Sequence, residues 1–426
     1  MVVGQQERAT VRTAVTTAAD APGREAAPPL HPFAAAGIKT RILSIDALRG
    51  FVMFLMLAEA MHLMNLRRAF PGNRFWEFVA FNTTHVPWQG CSLHDLIQPA
   101  FSFLVGAAMA FSILNRAGRG ENWNRMLLHA IWRSAALIFL GIFLRSLSRG
   151  QTYWTFEDTL TQIGLGYTFL FLLAFTSLRV QIAAFTAILV GFWLAFVLYP
   201  LPPEGFDYTQ VGVQAGWPHL YSGFLAHFNK NSNLSWAFDV WFLNLFPREK
   251  PFLYNGGGWS TLSFIPTLAT MMLGLWAGRW LMTSRTTAEK LKGLVIGGVA
   301  LTLAGLILQW LHINPIIKRI WTSSYTLYSG GLVVLMLAGF YALIELKGWK
   351  RWAFPLLVIG ANSIAVYVMS WTMEEFVSRA LVRHLGTGPF VIFGAPFEPV
   401  LRGFGVVLVF WLILLWMYRR KIFLRI

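Results

Sequence analysis

Residues 85–114 read HVPWQGCSLHDLIQPAFSFLVGAAMAFSIL, and this stretch joins a polar block to an apolar segment of nearly membrane length. The polar block has the spacing His85-x-x-Trp88-x-Gly90-x-x-x-x-Asp95. A helix that crosses a bilayer needs about 20 apolar residues. An imidazole in a short loop beside such a helix can titrate near neutral pH, accept a proton or attack a carbonyl. His85 is therefore the first candidate for chemistry.

The composition of the whole chain indicates a polytopic membrane protein. Of its 426 residues, 56% are hydrophobic and 13% are charged, whereas ordinary globular chains carry about 25% charged residues. Ten apolar windows predict an all-α bundle of about ten transmembrane helices. These windows are 48–66, 95–114, 127–147, 160–178, 181–200, 262–282, 293–312, 323–346, 353–373 and 396–418.

The positive charges favour one orientation of this bundle. Lysine and arginine are denser in the loops on the side of the amino terminus, so we expect both termini to be cytoplasmic. The pairs Arg67-Arg68 and Lys318-Arg319 lie on the other side and depart from this trend. The net charge of +16 is thus a topology signal, and no nucleic-acid partner is expected. This orientation places His85 on the outer, periplasmic or lumenal, face.

The chain divides into a tail and a membrane domain. Residues 1–38 lack the apolar core of a secretory signal, and we expect a disordered cytoplasmic tail. Residues 39–426 are expected to form one transmembrane domain, with 201–261 as a long outer loop rich in Trp, Tyr, Asn and Gly. Such aromatic and amide groups suit a sugar ring, but Trp and Tyr also gather at any membrane interface. The single cysteine, Cys91, excludes an intrachain disulfide framework.

Glu59 is an acidic residue within the first apolar window. At 1.5 Å per residue it lies roughly 15 Å deeper than Arg49, near the middle of the bilayer. A carboxylate at that depth costs a few kcal/mol, so such residues pair, face a water-filled cavity or act in function. His62 follows at i+3 and is the expected partner on the same helix face. A helix-stabilising polar pair and a functional acid are both open interpretations.

The same spacing raises the question of a metal. Glu59-x-x-His62 has the spacing of half a di-metal site. Such a site needs a second motif and further inward carboxylates, and neither His129 nor His312 has that partner pattern. We therefore expect no metal.

Asp95 has two compatible interpretations. It can begin the second helix as an N-cap. It can also hold Nδ1 of His85, which fixes the tautomer and leaves Nε2 free to act as base or nucleophile. His94, beside Asp95, is a second histidine in the same loop and serves as a backup candidate.

Together these residues resemble the heparan-α-glucosaminide N-acetyltransferase family of transmembrane acetyltransferases, over about residues 41–426. The His85 block is the most specific part of the likeness. We expect a short member that lacks the family's large lumenal amino-terminal domain. The matching motifs are Ser44-Ile-Asp46-Ala-Leu-Arg49-Gly50, His85-x-x-Trp88-x-Gly90-x-x-x-x-Asp95-Leu-x-x-Pro99, Phe103-x-x-Gly106, Trp321-x-x-Ser324-Tyr325, Asn362-Ser363-Ile364-x-Val366-Tyr367 and Lys421-Ile-Phe.

The resemblance implies that acetyl-CoA in the cytoplasm donates an acetyl group to the amine of an amino sugar on the outer face. The family's active-site histidine is carried onto His85, with Asp95 and Glu59 as the other catalytic candidates. His85 can act as a general base or carry the acetyl group covalently, and both routes stay open. The expected location is the bacterial inner membrane, in contact with the lipid bilayer, and a homodimer is left open.

The candidate binding residues follow from their positions. Inner-face cations and two polar residues that can line a central cavity are the candidates for holding CoA, although such polar residues also serve as contacts between helices. Trp88 and Trp259 are the candidates for stacking on the acceptor. The candidates at the CoA site are Arg49, Arg133, Arg279, Asn362 and Ser363.

The chain departs from the family pattern at three places, one of which is Ile163, where the family often has a basic residue after Gln162. Better-known members have an asparagine where this chain has Glu59-Ala60, and some have Asp-Pro-Glu-Gly where residues 257–260 read GGWS. We therefore expect the acceptor to be an amino sugar of the cell envelope or a free amino sugar rather than heparan sulfate. The competing hypothesis is a proton-coupled secondary transporter in which Glu59 and His62 relay protons.

Overall fold

The computed structural model describes residues 42–424, and in this part of the chain the regular structure is helical apart from one isolated bridge between Gln89 and Ile317. The tail expected at 1–38 lies outside the described residues. The helices of the first half are α1 (Leu43–Leu57), α2 (Asn65–Ala69), α3 (Arg74–Asn82), α4 (Ile97–Gly118), α5 (Trp123–Ser146), α6 (Thr159–Ala174), α7 (Leu178–Leu198) and α8 (Leu234–Phe242).

The second half continues with a similar alternation of long helices and short turns. Its helices are α9 (Phe264–Leu281), α10 (Thr287–Trp310), α11 (Ser323–Tyr341), α12 (Phe354–Gly360), α13 (Ser363–Thr372), α14 (Glu374–Leu385) and α15 (Glu398–Arg419).

Seven of the described helices are long and apolar enough to cross a membrane, namely those built on α4, α5, α7, α9, α10, α11 and α15. The pair α12 and α13 is bent by 65° and makes an eighth if it counts as one span. Each predicted window overlaps at least one helix, but α1 and α6 have only 15 and 16 residues. The all-α polytopic class is confirmed, whereas the number of ten spans is not established.

Helices α4 and α9 form the enclosed centre of the bundle. A Cβ atom on Gly106 would lie 1.8 Å from the Met271 carbonyl oxygen, and one on Gly274 would lie 1.8 Å from that of Phe103. Glycine at these positions therefore lets the two backbones touch, as small residues do between membrane helices. By contrast, α7 and α10 bury only 22% and 17% of their apolar windows. Their exposed apolar surface suits contact with lipid.

The first apolar window is not one continuous helix. α1 ends at Leu57, a single 3₁₀ turn covers Ala58–Met61, and His62 adopts a left-handed conformation with φ 47°. The expected pairing of Glu59 with His62 along one α-helical face is therefore wrong, because the tighter turn and the left-handed residue take His62 off that face. Glu59 lies at the end of α1 beside the His85 loop, with its side chain 54% exposed, instead of deep within a longer helix.

Candidate active site

The His85 loop connects α3 to α4 and is fixed against the segment that precedes α11. Gln89 forms the antiparallel bridge with Ile317, and the Gly90 amide donates to the Ile316 carbonyl at 2.9 Å. Two segments that are distant in sequence therefore meet at the site. This contact brings the residues around 318 next to His85.

Trp88 packs into the protein core and holds the His85 loop in place. Its side chain is fully buried, and its indole Nε1 donates to the Phe228 carbonyl at 3.1 Å. Gly258, with φ +77°, packs on this ring, and a Cβ atom there would lie 2.7 Å from it. Trp88 was expected to stack on the acceptor, but the structure places it in the core under the loop. The glycine run that follows Asn255 is thus needed partly for packing.

Asp95 holds the loop through its carboxylate, which is 1% exposed. Oδ1 lies 2.8 Å from Nδ1 of His85, while Oδ2 accepts the backbone amides of Val86 and Ser92 at 3.2 and 3.0 Å. The N-cap interpretation is wrong, because the carboxylate turns back toward the preceding loop and α4 begins at Ile97 without a side-chain cap. The contact with His85 gives the geometry that leaves Nε2 free.

Lys318 completes this group, and the sequence interpretation missed it. Its side chain is 4% exposed, and Nζ lies 3.2 Å from Nδ1 of His85 and 3.4 Å from Oδ1 of Asp95. Burial lowers the pKa of Lys318, and the Asp95 carboxylate opposes this shift. A signal was present in the sequence, since Lys318 was one of the positive charges that depart from the trend on which the predicted orientation rests.

The surroundings of His85 favour the neutral form of its imidazole. Burial lowers its pKa below the ordinary value, the hydrogen bond with Asp95 opposes this, and the Lys318 charge adds to the lowering. Nδ1 has one position for a hydrogen bond, and donating it to Asp95 leaves the lone pair on Nε2. His85 is 36% exposed, so this lone pair is accessible to a ligand.

Trp259 forms an aromatic wall beside the imidazole. The two rings meet edge to face with centroids 5.5 Å apart, and the Lys318 and Arg319 cations lie 5.2 and 5.0 Å from the Trp259 ring centre. Arg319 also donates to the Gly257 carbonyl at 2.6 Å. The indole is therefore held in place while it faces the same space as His85.

His94 brings Glu59 into the same site. The His94 and His85 rings lie 4.4 Å apart, and Nε2 of His94 is 3.2 Å from Oε1 of Glu59. The partner of Glu59 is thus a histidine of the loop rather than His62. Sequence spacing pointed to a near neighbour, whereas folding supplied a partner from 35 residues away, in the turn just before α4.

These side chains line a cavity of about 420 Å³. Its opposite wall carries acidic and aromatic groups together with one arginine. Burial raises the pKa values of Glu157 and Asp158 there. The residues on that wall are Arg145, Glu157, Asp158, Tyr367, Trp371 and Glu374.

A second cavity, of about 700 Å³, adjoins the first. Phe101, Thr159 and Tyr367 line both, so the two meet at these residues. The second cavity reaches the start of α1, where it is lined by positively charged side chains, and its middle is apolar. The residues at its charged end include Asp46, Arg49, Arg116, His129, Arg133 and Ser363.

The structure brings three of the five candidate CoA residues to this cavity: Arg49, Arg133 and Ser363. Asn362 does not line it, because its amide donates to the Ile422 carbonyl and accepts the Leu424 amide, both at 3.0 Å. Arg279 also lies elsewhere, where it donates to Gln181 and to the Ala174 carbonyl. Arg116 and His129 line the cavity and were not proposed from the sequence.

A metal site is not formed by the described side chains. Between 42 and 424, no group of three or more His, Cys, Asp or Glu side chains is arranged to hold a metal ion. The histidines of the site instead pair with single carboxylates, as in His85–Asp95 and His94–Glu59.

Comparison with known proteins gives two curated relatives. Heparan-alpha-glucosaminide N-acetyltransferase of Mus musculus is 23% identical over 375 residues, which cover 79% of this chain and 54% of that protein. The Homo sapiens protein of the same name is 24% identical over 377 residues, with 79% and 53% covered. The chain is a distant relative of these acetyltransferases.

This relationship confirms the resemblance found in the sequence motifs at the level of the family. The chain spans about half the length of the curated relatives it matches. No protein-family model matches the chain. At this identity the roles of single residues rest on the geometry of the site.

Proposed function

We propose that this protein is a transmembrane acetyltransferase that transfers an acetyl group from acetyl-CoA to the amine of an amino sugar. The observation that carries the proposal is the pair of adjoining cavities, which connects a cationic end at Arg49 and Arg133 with the imidazole of His85. The distant relationship to N-acetyltransferases supports the reaction class.

The shape of the larger cavity suits the donor. Arg116 and Arg133 would bind the phosphates of CoA through charge-assisted hydrogen bonds. Arg133 lines this cavity, and within residues 42–424 its buried Nε atom has no hydrogen-bond partner. The pantetheine arm would lie along the apolar middle, past Leu104 and Leu137. Its thioester would then reach the junction with the His85 cavity.

His85 would carry out the transfer. The neutral Nε2 can take a proton from the attacking amine, or it can accept the acetyl group and pass it on. Either route places positive charge on the imidazole at some stage. The Asp95 carboxylate 2.8 Å from Nδ1 stabilises that charge.

The acceptor would occupy the cavity of about 420 Å³ next to Trp259. The C–H face of a sugar ring can stack on this indole, while its hydroxyls can form hydrogen bonds with the carboxyl groups of Glu157 and Asp158. A small amino sugar, either free or part of the cell envelope, fits this volume. By the distribution of positive charge, donor and acceptor would enter from opposite faces of the membrane, with the Arg49 end cytoplasmic and the membrane a bacterial inner membrane.

Labelled acetyl-CoA provides the direct test. Purified protein in detergent is incubated with it and with a panel of amino sugars, and the products are identified by mass. A labelled N-acetyl sugar is the expected result. Binding of acetyl-CoA without transfer to any amine would overturn the proposal. Uptake of a solute into proteoliposomes without acetyl-CoA would instead support a transporter, although Glu59 and His62 do not form the relay expected for one.

A further inference from the structure

The site contains two imidazole–carboxylate pairs, and they differ in exposure. In the first, Asp95 is 1% exposed and His85 reaches the cavity. In the second the order is reversed, since His94 is 9% exposed and its partner Glu59 is 54% exposed. The two rings lie 4.4 Å apart. One pair thus presents an imidazole to a ligand, and the other presents a carboxylate.

Glu59 also lines a separate cavity that leads to His85. A third cavity, of about 360 Å³, adjoins the His85 cavity, and both are lined by Glu59, His85, His94 and Glu374. This cavity continues past Thr84 at the end of the bundle that holds the His85 loop. It therefore lies on the side of His85 away from the arginines at the start of α1.

Acetylation of a protonated amine removes two protons from its nitrogen. A protonated amine must lose one proton before its nitrogen can attack the acetyl carbon. As the new C–N bond forms and the C–S bond breaks, the nitrogen loses a second proton. One proton ends on the sulfur of CoA and the other enters the solvent. His85, next to the thioester, can move the second proton to the sulfur, which leaves the first proton without an acceptor.

We propose that Glu59 takes this first proton from the ammonium group of the acceptor, with His94 as the residue that positions the Glu59 carboxylate. The proposal rests on the proposed acetyl transfer and assigns separate tasks to the two pairs. Glu59 binds the incoming ammonium and makes it a free amine. The proton then leaves through the third cavity, while His85 acts only on the acetyl transfer itself.

The charges around Glu59 fit a cationic ligand. Glu374 lies near enough for the two carboxylates to interact: burial raises the pKa of Glu374, the nearby His62 opposes this, and Glu59 adds to the rise. On α15, which packs against the turn that carries Glu59, Glu398 and Arg402 pair with each other at 3.4 Å. The titratable groups around Glu59 are His62, His85, His94, Tyr367 and Glu374. Asp95 and Lys318 lie behind His85, and Arg145, Glu157 and Asp158 line the same cavity.

The test is the pH dependence of kcat/KM for glucosamine in variants of the full chain. Glu59→Gln should lower kcat/KM about 100-fold at pH 6, in the range of general acid–base catalysis. The loss should shrink toward pH 9, because the free amine then forms in solution without help from the protein. His94→Gln should show the same trend, and the double variant should be no worse than Glu59→Gln alone, because the two residues act as a unit.

Matched variants keep the test decisive. Glu375→Gln changes a neighbouring carboxylate that is 81% exposed and paired with Arg379, and it should behave like the wild type at every pH. Glu59→Asp should retain part of the activity and the same pH trend, which covers the case in which the glutamine variant does not fold. A loss that is equal at all pH values, or no loss at pH 6, overturns the inference. Wild-type protein without acetyl transfer would overturn the proposed function and this inference with it.

Discussion

The Nζ atom of Lys318 lies 3.2 Å from Nδ1 of His85, although 233 residues separate the two in the sequence. A buried ammonium at this distance disfavours a second positive charge on the imidazole. Asp95, which contacts both groups, balances the effect and fixes the direction of the ring. This triad therefore sets both the protonation state and the orientation of the proposed catalytic histidine.

Replacing His85 should abolish most of the proposed activity. His85→Ala removes both the general base and the acetyl acceptor, so we expect at least about a 100-fold loss of acetyl transfer. His85 is partly exposed in a loop, and the variant should elute from size exclusion as the wild type does. The measurement is the initial rate with labelled acetyl-CoA. Wild-type turnover would remove His85 from the mechanism.

Replacing Lys318 should move the acidic limb of the pH–rate profile. Lys318 helps to lower the pKa of His85, so Lys318→Met should raise that pKa. Activity needs the neutral imidazole, which is lost as the pH falls through this pKa. The acidic limb should therefore shift to higher pH, and activity at pH 6 should fall more than activity at pH 8. Lys318→Arg, which keeps the charge, should show little shift. An unchanged limb in the methionine variant would contradict the electrostatic role.

Replacing Asp95 by asparagine should reduce the rate through the tautomer of His85. An asparagine amide can donate to Nδ1, which would place the proton on Nε2 and leave that atom unable to act as a base. We expect a loss of about 100-fold or more in kcat, with a smaller change in KM. Circular dichroism should show whether the fold is kept. A loss confined to KM would indicate that Asp95 acts in binding instead.

Replacing an arginine of the large cavity should weaken the binding of acetyl-CoA and leave the rate of acetyl transfer nearly unchanged. Arg133→Gln removes a charge-assisted contact and should raise the KM for acetyl-CoA about 10-fold or more, with kcat nearly unchanged. Arg119→Gln is the matched control, because Arg119 is exposed and lies outside the cavity. An equal effect of both changes would show that the response reflects overall charge and not a binding site.

The contact between α4 and α9 should be sensitive to a single methyl group. Gly274→Ala would place a Cβ atom 1.8 Å from the Phe103 carbonyl oxygen, so the helices must move apart. We expect a clear fall in Tm, by several degrees. A Cβ atom on Gly191 in α7 would meet nothing within 4 Å, so Gly191→Ala should leave Tm nearly unchanged. Thermal melts in detergent compare the two variants.

The sequence predicts those parts of the site that depend on local patterns. Apolar windows locate the helices, and the pairing of His85 with Asp95 follows from a spacing of ten residues within one loop. Lys318 could not be assigned in this way, because its position depends on how two distant loops pack. Its positive charge departs from the predicted orientation, but this departure does not show which residue Lys318 contacts.

Glu59 shows the second limit of local reasoning. Spacing along an ideal helix pointed to His62, but α1 ends two residues before Glu59 and changes to a 3₁₀ turn. Trp88 shows a third limit. An aromatic residue in a motif can pack in the core beneath a loop, or it can contact a ligand, and the sequence does not distinguish the two roles. In each case a tertiary contact determines the role of the residue, and the periodicity of the sequence does not predict that contact.

The bridge between Gln89 and Ile317 also bears on how the protein matures. Synthesis runs from the amino to the carboxyl terminus, so His85 and Asp95 exist long before Lys318 is added. The segment that tunes the imidazole follows α10 and can dock only after seven further helices of the chain have been made. A nascent or truncated chain that stops before this point carries the histidine without its electrostatic partner. The proposed catalytic site is therefore completed late in biogenesis, when these two loops first meet.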